Sequence, residues 1–184
     1  MAEDFKHHSE SNVTISELML PSHSNFGGKI HGGYILSLMD QIAFACASKH
    51  SGNYCVTASV DTVDFLSPIE IGELVTMKAS INFVGKSSMV VGIRVDSENI
   101  LTGVVRHCNS SFFTMVAKDK SGKTAKVPGL VLESEEDIRR FIQSSKRKEH
   151  SKNFHAEFKS KDFYDKASLD DLKNYNVQII CSMD

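Results

Sequence analysis

The sequence predicts an α+β fold in which an antiparallel sheet wraps around one long central helix. Three observations lead to this prediction. One long apolar segment has the composition of a buried helix, four strand-like segments rich in Val, Ile, Thr and Phe follow it, and their connections are short. Short connections join antiparallel neighbours, because parallel strands need a long crossover. A single helix packed on such a sheet is an α+β layer architecture.

The first elements are a strand, a loop and the helix. Apolar and polar residues alternate over Val13–Leu20, which predicts a strand, and Pro21–Lys29 has the composition of a loop. A helix is predicted over His31–Lys49, with apolar side chains on nearly every side, and we expect it to be buried rather than amphipathic. The SGN sequence at Ser51–Asn53 ends it.

The pattern then changes to strands separated by turn residues. The connecting segments SPIEIGE, GKS and DSEN followed by Gly103 all have turn chemistry, and DKSGK follows the last strand. The four predicted strands are Cys55–Leu66, Leu74–Val84, Met89–Val95 and Val104–Lys118.

The chain of 184 residues is long enough for one domain and a tail. We divide it into a polar segment at 1–11, a domain at 12–141 and a charged tail at 142–184. The sequence LESEEDIRRFIQSSKRKEH begins with acids and ends with bases, a polarity that favours a surface helix. Residues 150–184 hold few aliphatic side chains before Val177–Ile180, so we expect either a loosely attached appendage or a partly disordered tail.

Composition excludes several classes of function. The formal net charge is −2, which gives no general affinity for nucleic acid or anionic membrane. No apolar run reaches the roughly 18 residues that span a bilayer, and the polar N-terminus is unlike a secretory signal. Neither the histidines nor the cysteines have metal-ligand spacing, so we expect no metal and a reduced, cytoplasmic protein. The cysteines are Cys46, Cys55, Cys108 and Cys181.

The most informative stretch is SNFGGKIHGGYILSLMD, which runs from Ser24 to Asp40. Gly32 and Gly33 open the helix, where the leading N–H groups lack intrahelical partners and the helix dipole favours negative charge. Side chains are absent there, so a ligand oxygen could approach and form an oxyanion site. The alternative is tight packing of the helix start against a strand, and spacing alone does not separate the two.

Asp40 places a carboxylate two turns further into this apolar helix. A buried carboxylate without partners costs several kcal/mol, so Asp40 is either a satisfied structural acid or a catalytic base or nucleophile. It lies roughly 10.5 Å along the axis from Gly33, at about 1.5 Å per residue. One straight helix cannot bring both groups to one reacting carbonyl, so a shared site predicts a dimer whose partner supplies the carboxylate.

These residues resemble the hotdog-fold acyl-CoA thioesterases, of the acyl-CoA hydrolase type. The resemblance begins with the pattern Asn25–x–x–Gly28–x–x–His31–Gly32–Gly33–x–x–Leu36–x–x–x–Asp40. Three further segments match in order and carry it over roughly Ile15 to Phe141: DFLSPIEIGE, NFVGKSSM and FFTMVAKDKSGKTAKVPGL.

The resemblance implies hydrolysis of fatty acyl-CoA to free acid and coenzyme A, with no cofactor beyond the coenzyme A of the substrate. It implies a sheet of five or six strands around the helix and a homodimer with a continuous sheet, and dimers of the family commonly assemble into hexamers. By position, the catalytic pair is Asn25 of one subunit and Asp40 of the other. Asn25 would orient either the attacking water or the carbonyl.

The resemblance also assigns two binding segments. The residues at the helix start would bind the thioester oxygen: His31, Gly32 and Gly33. The turn that would lie along coenzyme A consists of Gly85, Lys86, Ser87 and Ser88. A cation and hydroxyls suit phosphates and pantetheine amides, although the same residues are also ordinary for a hairpin turn.

Other interpretations remain open at this point. His31 is interpreted as a helix-start or wall residue rather than a base, and Ser37, one turn before Asp40, as a hydrogen-bond partner of Asp40. The rival functions are a non-catalytic acyl-CoA sensor and an acyl-thioester hydratase or dehydratase. A hydratase depends on a histidine and an acid, and no loop here resembles the one that carries its histidine. A pure binding protein has no need of a buried acid.

Overall fold

The computed structural model describes residues 5–160 and 174–177. Within them the chain forms seven strands and two α-helices. The strands are β1 (Phe5–His7), β2 (Val13–Leu18), β3 (Tyr54–Val60), β4 (Leu74–Val84), β5 (Ser88–Asn99), β6 (Val104–Lys118) and β7 (Gly129–Val131). The helices are α1 (Gly32–Ser51) and α2 (Glu135–Ser160).

The predicted antiparallel sheet is confirmed. Five strands pair in the order β2-β4-β5-β6-β3, and every pairing among them is antiparallel. Alternate residues of the central strands point toward α1 and are almost fully buried, among them Met77, Val91 and Met115. The opposite side of the sheet, called the outer face below, carries the polar residues of the same strands. The core therefore lies between α1 and one face of the sheet, as a two-layer α+β fold requires.

The element bounds differ from the predicted ones in ways that have physical reasons. β3 ends at Val60, not Leu66, because backbone hydrogen bonds join the following described segment to β6 only at the N–H groups of Asp61 and Leu66. β5 continues past Val95 to Asn99. The parallel pair β1 and β7 was not predicted, because strands of three residues are too short to show a period.

The prediction that α1 is buried on all sides is wrong for the single chain. One side is buried, but the other side carries a strip of five exposed residues: Gly33, Ser37, Asp40, Gln41 and Phe44. We call this strip the open face of α1. Its apolar composition alone could not reveal that the sheet covers only part of the helix.

The end of α1 follows the predicted signal. Gly52 has a φ of 67°, and its N–H donates to the carbonyl of Ser48 at 2.9 Å. A residue with this left-handed conformation is a common helix terminator, and glycine adopts it without a steric penalty. The helix therefore ends inside the SGN sequence.

Three cysteines are buried free thiols, which agrees with their apolar surroundings in the sequence: Cys46, Cys55 and Cys108. Burial raises the pKa of Cys46 to about 12. Cys181 lies outside the described residues. Neither helix of the described ranges combines the length and the apolar character needed to cross a membrane.

The C-terminal part of the chain forms a second compact unit, divided from the first between Ser145 and Lys146. The boundary predicted at 141/142 falls inside α2, which begins at the predicted acidic segment. Ser134 and Asp137 cap its start reciprocally: the Asp137 N–H donates to the Ser134 hydroxyl, and the Ser134 N–H to the Asp137 carboxylate, both at 3.1 Å. Of the predicted tail, the structure describes only residues up to 160 and 174–177.

Candidate active site

The start of α1 is built around His31, which is the N-cap residue. The Gly33 N–H donates to His31 Nδ1 at 2.9 Å, so His31 has the helix-start role that the sequence indicated. Because Nδ1 accepts this bond, the imidazole is neutral and carries its proton on Nε2. A Cβ atom at position 33 would lie 2.8 Å from the ring, so only glycine fits beneath the cap.

The two glycines have different environments. The Gly33 N–H is occupied by His31, whereas the N–H of Gly32 has no acceptor within the described residues. A Cβ atom at position 32 would lie 3.2 Å from the ring of Phe65. Both glycines therefore lie close to side chains rather than to a strand, and the contact is tighter at position 33 than at position 32. The Gly32 N–H remains the donor that a ligand oxygen could use.

Asn25 lies in the exposed loop before α1, and its side-chain carbonyl is already in use. Oδ1 accepts the N–H groups of Gly27 at 2.8 Å and Lys29 at 3.2 Å. These two bonds fix the orientation of the amide, so its NH₂ group is the end available to a ligand. Lys29 in turn pairs with Glu70 at 2.6 Å. The loop therefore presents Asn25 as a hydrogen-bond donor, which suits a carbonyl oxygen.

Asp40 is exposed in the single chain, so the expectation that its carboxylate is buried is wrong for one chain, and it has a hydroxyl partner, as one of the two alternatives required. The hydroxyl of Thr57 on β3 donates to Asp40 Oδ1 at 2.5 Å. The interpretation that Ser37 bonds to Asp40 is also wrong, because the Ser37 hydroxyl instead accepts from Gln41 at 3.4 Å. Thr57 reaches Asp40 across the α1–β3 junction, beside an irregularity in the pairing of β3 with β6.

Sequence reasoning missed Thr57. Threonine is common in β-strands, so Thr57 does not stand out in the sequence. Only the folded chain brings β3 next to the second and third turns of α1. A polar side chain close after the helix end was the only available signal.

Asp40 borders an open cleft on the side of the open face of α1. The cleft is also lined by Gln41, Phe44, Tyr54 and residues 55–57 of β3, and the rings of Phe44 and Tyr54 lie 5.5 Å apart. Its walls combine apolar and polar side chains, with the two aromatic rings as the largest apolar part, and Asp40 contributes the negative charge. This combination suits an apolar chain whose reactive end meets a carboxylate.

One chain does not bring the helix start and the carboxylate together. α1 is continuous between Gly33 and Asp40, which corresponds to roughly 10 Å of axial rise. Asn25 bonds to its own loop, and Asp40 bonds to β3. The predicted need for a second copy of the chain therefore stays a prediction that this geometry favours.

The predicted coenzyme A segment is the turn between β4 and β5. The Gly85 N–H donates to the Ser88 carbonyl at 2.7 Å, and the carbonyls of Ser87 and Lys86 accept from Ala117 at 3.0 Å and Val127 at 3.2 Å. The turn is thus anchored on two neighbouring segments while the Lys86 side chain is exposed. In the described ranges, no three His, Cys, Asp or Glu side chains are grouped as metal ligands would be.

A curled antiparallel sheet around one long helix, with glycines at the helix start and a carboxylate two turns later, defines the thioesterase class of this fold. Residues 27–104 match the model of the thioesterase superfamily. Protein VdlD of Helicobacter pylori is 43% identical over 74% of this chain and 78% of its own. The uncharacterized acyl-CoA thioester hydrolase YkhA of Bacillus subtilis is 37% identical, over 77% and 87% respectively.

Solved structures agree in fold. An apo-hexameric acyl-CoA thioesterase superposes with a TM-score of 0.80 at 38% identity, over 83% of this chain and 97% of that one. An acyl-CoA hydrolase from Staphylococcus aureus, solved with butyryl coenzyme A and coenzyme A, gives 0.78 at 32% identity, over 84% and 94%. Structures also exist of three variants of that hydrolase, in which an asparagine, an aspartate or a threonine is replaced by alanine. This chain belongs to the hotdog-fold acyl-CoA thioester hydrolase family.

Proposed function

We propose that this protein hydrolyses fatty acyl-CoA to the free acid and coenzyme A, in sites that two subunits share. The observation that carries the proposal is the pairing of Asp40 with Thr57 on the open face of α1. The three positions replaced by alanine in the Staphylococcus aureus hydrolase follow one another at the same intervals as Asn25, Asp40 and Thr57. The first two were expected from the sequence, and the third is a direct partner of Asp40.

In this proposal, each part of the chemistry has a group suited to it. The Asp40 carboxylate takes a proton from water, which attacks the thioester carbonyl, and the Thr57 hydroxyl holds the carboxylate in position. The Gly32 N–H and the Asn25 NH₂ group donate to the carbonyl oxygen as negative charge develops there. Coenzyme A leaves as a thiolate and needs little acid assistance, so no cofactor beyond the substrate is required.

The proposed oligomer follows from the assignment of these residues to two subunits. Asn25 and Gly32 come from one subunit and Asp40 and Thr57 from its partner, so a homodimer is the minimum active unit. We infer that three such dimers form a hexamer, as in the hexameric thioesterase whose fold this chain shares. The acyl chain occupies the cleft beside Asp40, against the rings of Phe44 and Tyr54. The Gly85–Ser88 turn, with its exposed Lys86, lies along coenzyme A. The buried free cysteines suit a reducing, cytoplasmic compartment.

The direct test replaces Asp40 with asparagine and measures thiol release from a panel of acyl-CoAs. We expect wild-type turnover and, in Asp40→Asn, a loss of roughly 10²-fold or more, the usual scale for a positioned base. The amide keeps the shape of the side chain, and Asp40 is exposed in the single chain, so the unfolding midpoint should stay close to wild type.

Two results would contradict the proposal. A wild-type protein that binds acyl-CoA without releasing thiol would be a binding protein rather than an enzyme. An Asp40→Asn variant that keeps its turnover, or loses activity only in proportion to its folded fraction, would leave Asp40 with a structural role.

A further inference from the structure

Three side chains on the outer face of the sheet are linked to one another by hydrogen bonds. All three are distant from Asp40 in the sequence. The Ser110 hydroxyl lies 3.3 Å from His107 Nε2, and His107 Nδ1 lies 3.2 Å from Asp96 Oδ1. An ionised aspartate can only accept, so Nδ1 carries the imidazole proton and Nε2 accepts from the Ser110 hydroxyl. This is the order of hydroxyl, imidazole and carboxylate that activates a nucleophilic serine.

A β-bulge makes this arrangement possible. Side chains alternate between the two faces of a strand, so residues three apart, such as His107 and Ser110, should point in opposite directions. In β6, however, Val95 pairs with Asn109 while the next residue of β5, Asp96, pairs with His107. Cys108 is thus an extra residue, and it brings His107 to the same face as Ser110.

The bulge has a cost inside the protein. Asn109 is fully buried, and within the described ranges neither its Oδ1 nor its Nδ2 has a hydrogen-bond partner. A buried polar group left without a partner destabilises a fold by about 1–3 kcal/mol. The fold therefore gains no stability from Asn109 at this bulge. The structural effect of the bulge is to place His107 on the same face of the sheet as Ser110.

A guanidinium group holds the carboxylate of these three linked side chains. Arg94 Nε donates to Asp96 Oδ2 and Arg94 Nη2 to Oδ1, both at 2.9 Å. Burial opposes ionisation of Asp96, but the hydrogen bonds and charges of Arg94 and His107 outweigh it and lower its pKa. Asp96 therefore stays ionised and keeps His107 in the tautomer that accepts from Ser110.

Ser110 is exposed and lines a groove of about 360 Å³ on the outer face. Thr14, Lys78, Arg94 and Ser110 are successive cross-strand partners, so they form one row with steps of about 4.8 Å. Arg140 of α2 also lines the groove. The described lining residues include three cations and no carboxylate. Arg94 is paired with Asp96 and Arg140 with Glu136, whereas Lys78 forms no ion pair with the described part of the chain and is the cation available to a ligand. The groove therefore favours an anion.

We propose that Ser110 is the nucleophile of a second site, activated by His107 and Asp96, for an acyl group on an anionic leaving group. Ser110 Oγ forms a bond to the acyl carbon as its proton passes to His107 Nε2. The bond to the leaving group breaks with its electron pair, and the leaving group takes the proton from the imidazolium. An acyl ester remains on Ser110, and water activated by the same imidazole hydrolyses it.

The first test identifies the nucleophile with a fluorophosphonate probe. An activated serine attacks its phosphorus, fluoride leaves, and the adduct is stable enough to locate by peptide mass spectrometry. We expect the adduct on Ser110 in the full-length protein, its loss in Ser110→Ala, and labelling slowed by roughly 10²-fold in His107→Gln. Ser16→Ala is the matched control, because Ser16 is an exposed serine on the same face whose hydroxyl meets Thr76 rather than an imidazole.

The second test examines the anionic groove with two aryl acetates, one neutral and one bearing a sulfonate on the leaving group. We expect faster release of the sulfonated phenol, and a selective several-fold loss of that preference in Lys78→Gln. Ser110→Ala should keep wild-type acyl-CoA turnover, and Asp40→Asn should still form the Ser110 adduct, so the two sites can be judged separately. Adducts on other residues, or equal labelling of Ser110 in His107→Gln, would overturn the second site.

Discussion

The Asp40 carboxylate has two oxygens, and Thr57 engages only one of them. The short bond to Oδ1 fixes the rotamer of the side chain, and the side chain still faces the open side of α1. Oδ2 is thus the oxygen that would accept the proton of water in the proposed mechanism. Thr57 therefore holds one carboxylate oxygen in place and leaves the other without a hydrogen-bond partner in the described part of the chain.

Removing the Thr57 hydroxyl should reduce turnover without abolishing it. Hydrogen bonds to charged groups contribute about 1.5–3 kcal/mol, so Thr57→Ala should lower kcat by roughly 10- to 100-fold. Thr57→Ser is the control, since it keeps the hydroxyl and should retain most of the activity. Steady-state thiol release measures both variants. An unchanged kcat in Thr57→Ala would make the Asp40–Thr57 bond a structural contact only.

At the scale of single residues, the sequence indicated which residues could act in a site, but it did not show which side chains contact one another. Asp40 was predicted as a site residue because a carboxylate is conspicuous in an apolar helix, and Asn25 because its motif resembles that of the family. Thr57 and the alignment of Ser110 with His107 could not be found, because each depends on a contact between separate strands or on a bulge. A bulge inserts one residue and reverses the face of those that follow, and alternation alone does not show where this occurs.

The next scale is the helix α1 and its cap. Gly33→Ala should destabilise the protein, because the new methyl would displace the His31 ring and remove the N-cap bond, at a cost of about 1 kcal/mol or more. In a His31→Ala background the ring is absent, so the same change should have little additional effect. A double-mutant cycle by urea denaturation, at one protein concentration, measures this coupling. Additive effects would show that the ring and the methyl do not compete for one space.

The turn between β4 and β5 gives a kinetic prediction. If Lys86 contacts the phosphates of coenzyme A, Lys86→Ala should raise KM several-fold and leave kcat nearly unchanged, the signature of uniform binding loss. Lys86→Arg keeps the positive charge and should stay near the wild-type KM. Initial rates over a range of acyl-CoA concentrations distinguish the cases. An unchanged KM in Lys86→Ala would move the phosphate contact to another part of the protein.

The elements themselves were largely predictable. The helix α1 and strands β4 and β6 have long, unambiguous patterns with turn residues at both ends, and their predicted bounds agree to within two residues. The exposure of the strip from Gly33 to Phe44 was not predictable. Apolar side chains indicate that a helix surface is to be buried, but they do not show whether the same chain or a second copy of it buries that surface.

At the scale of the whole molecule, the shared site predicts complementation between inactive chains. Asp40→Asn and Asn25→Ala should each be inactive alone. After subunits exchange, a mixed dimer holds one intact site and one doubly damaged site, so an equal mixture should regain about a quarter of wild-type activity. Thiol release after mixing measures the recovery, and native mass spectrometry verifies the mixed dimers. Verified mixed dimers without activity would show that the site is not divided in this way.

The strand order has a consequence for how the chain reaches its fold. The strands β4, β5 and β6 form consecutive hairpins, but β2 and β3 join the sheet through distant partners. Ser16 meets Thr76, which is 60 positions away, and Thr57 meets Met115, 58 positions away. Closing such loops costs entropy before the contacts compensate for it, so we expect the three-stranded meander to form early and the outer strands to dock late. α1 lies between β2 and β3 in the chain, so the last pairings to form are the ones that enclose it.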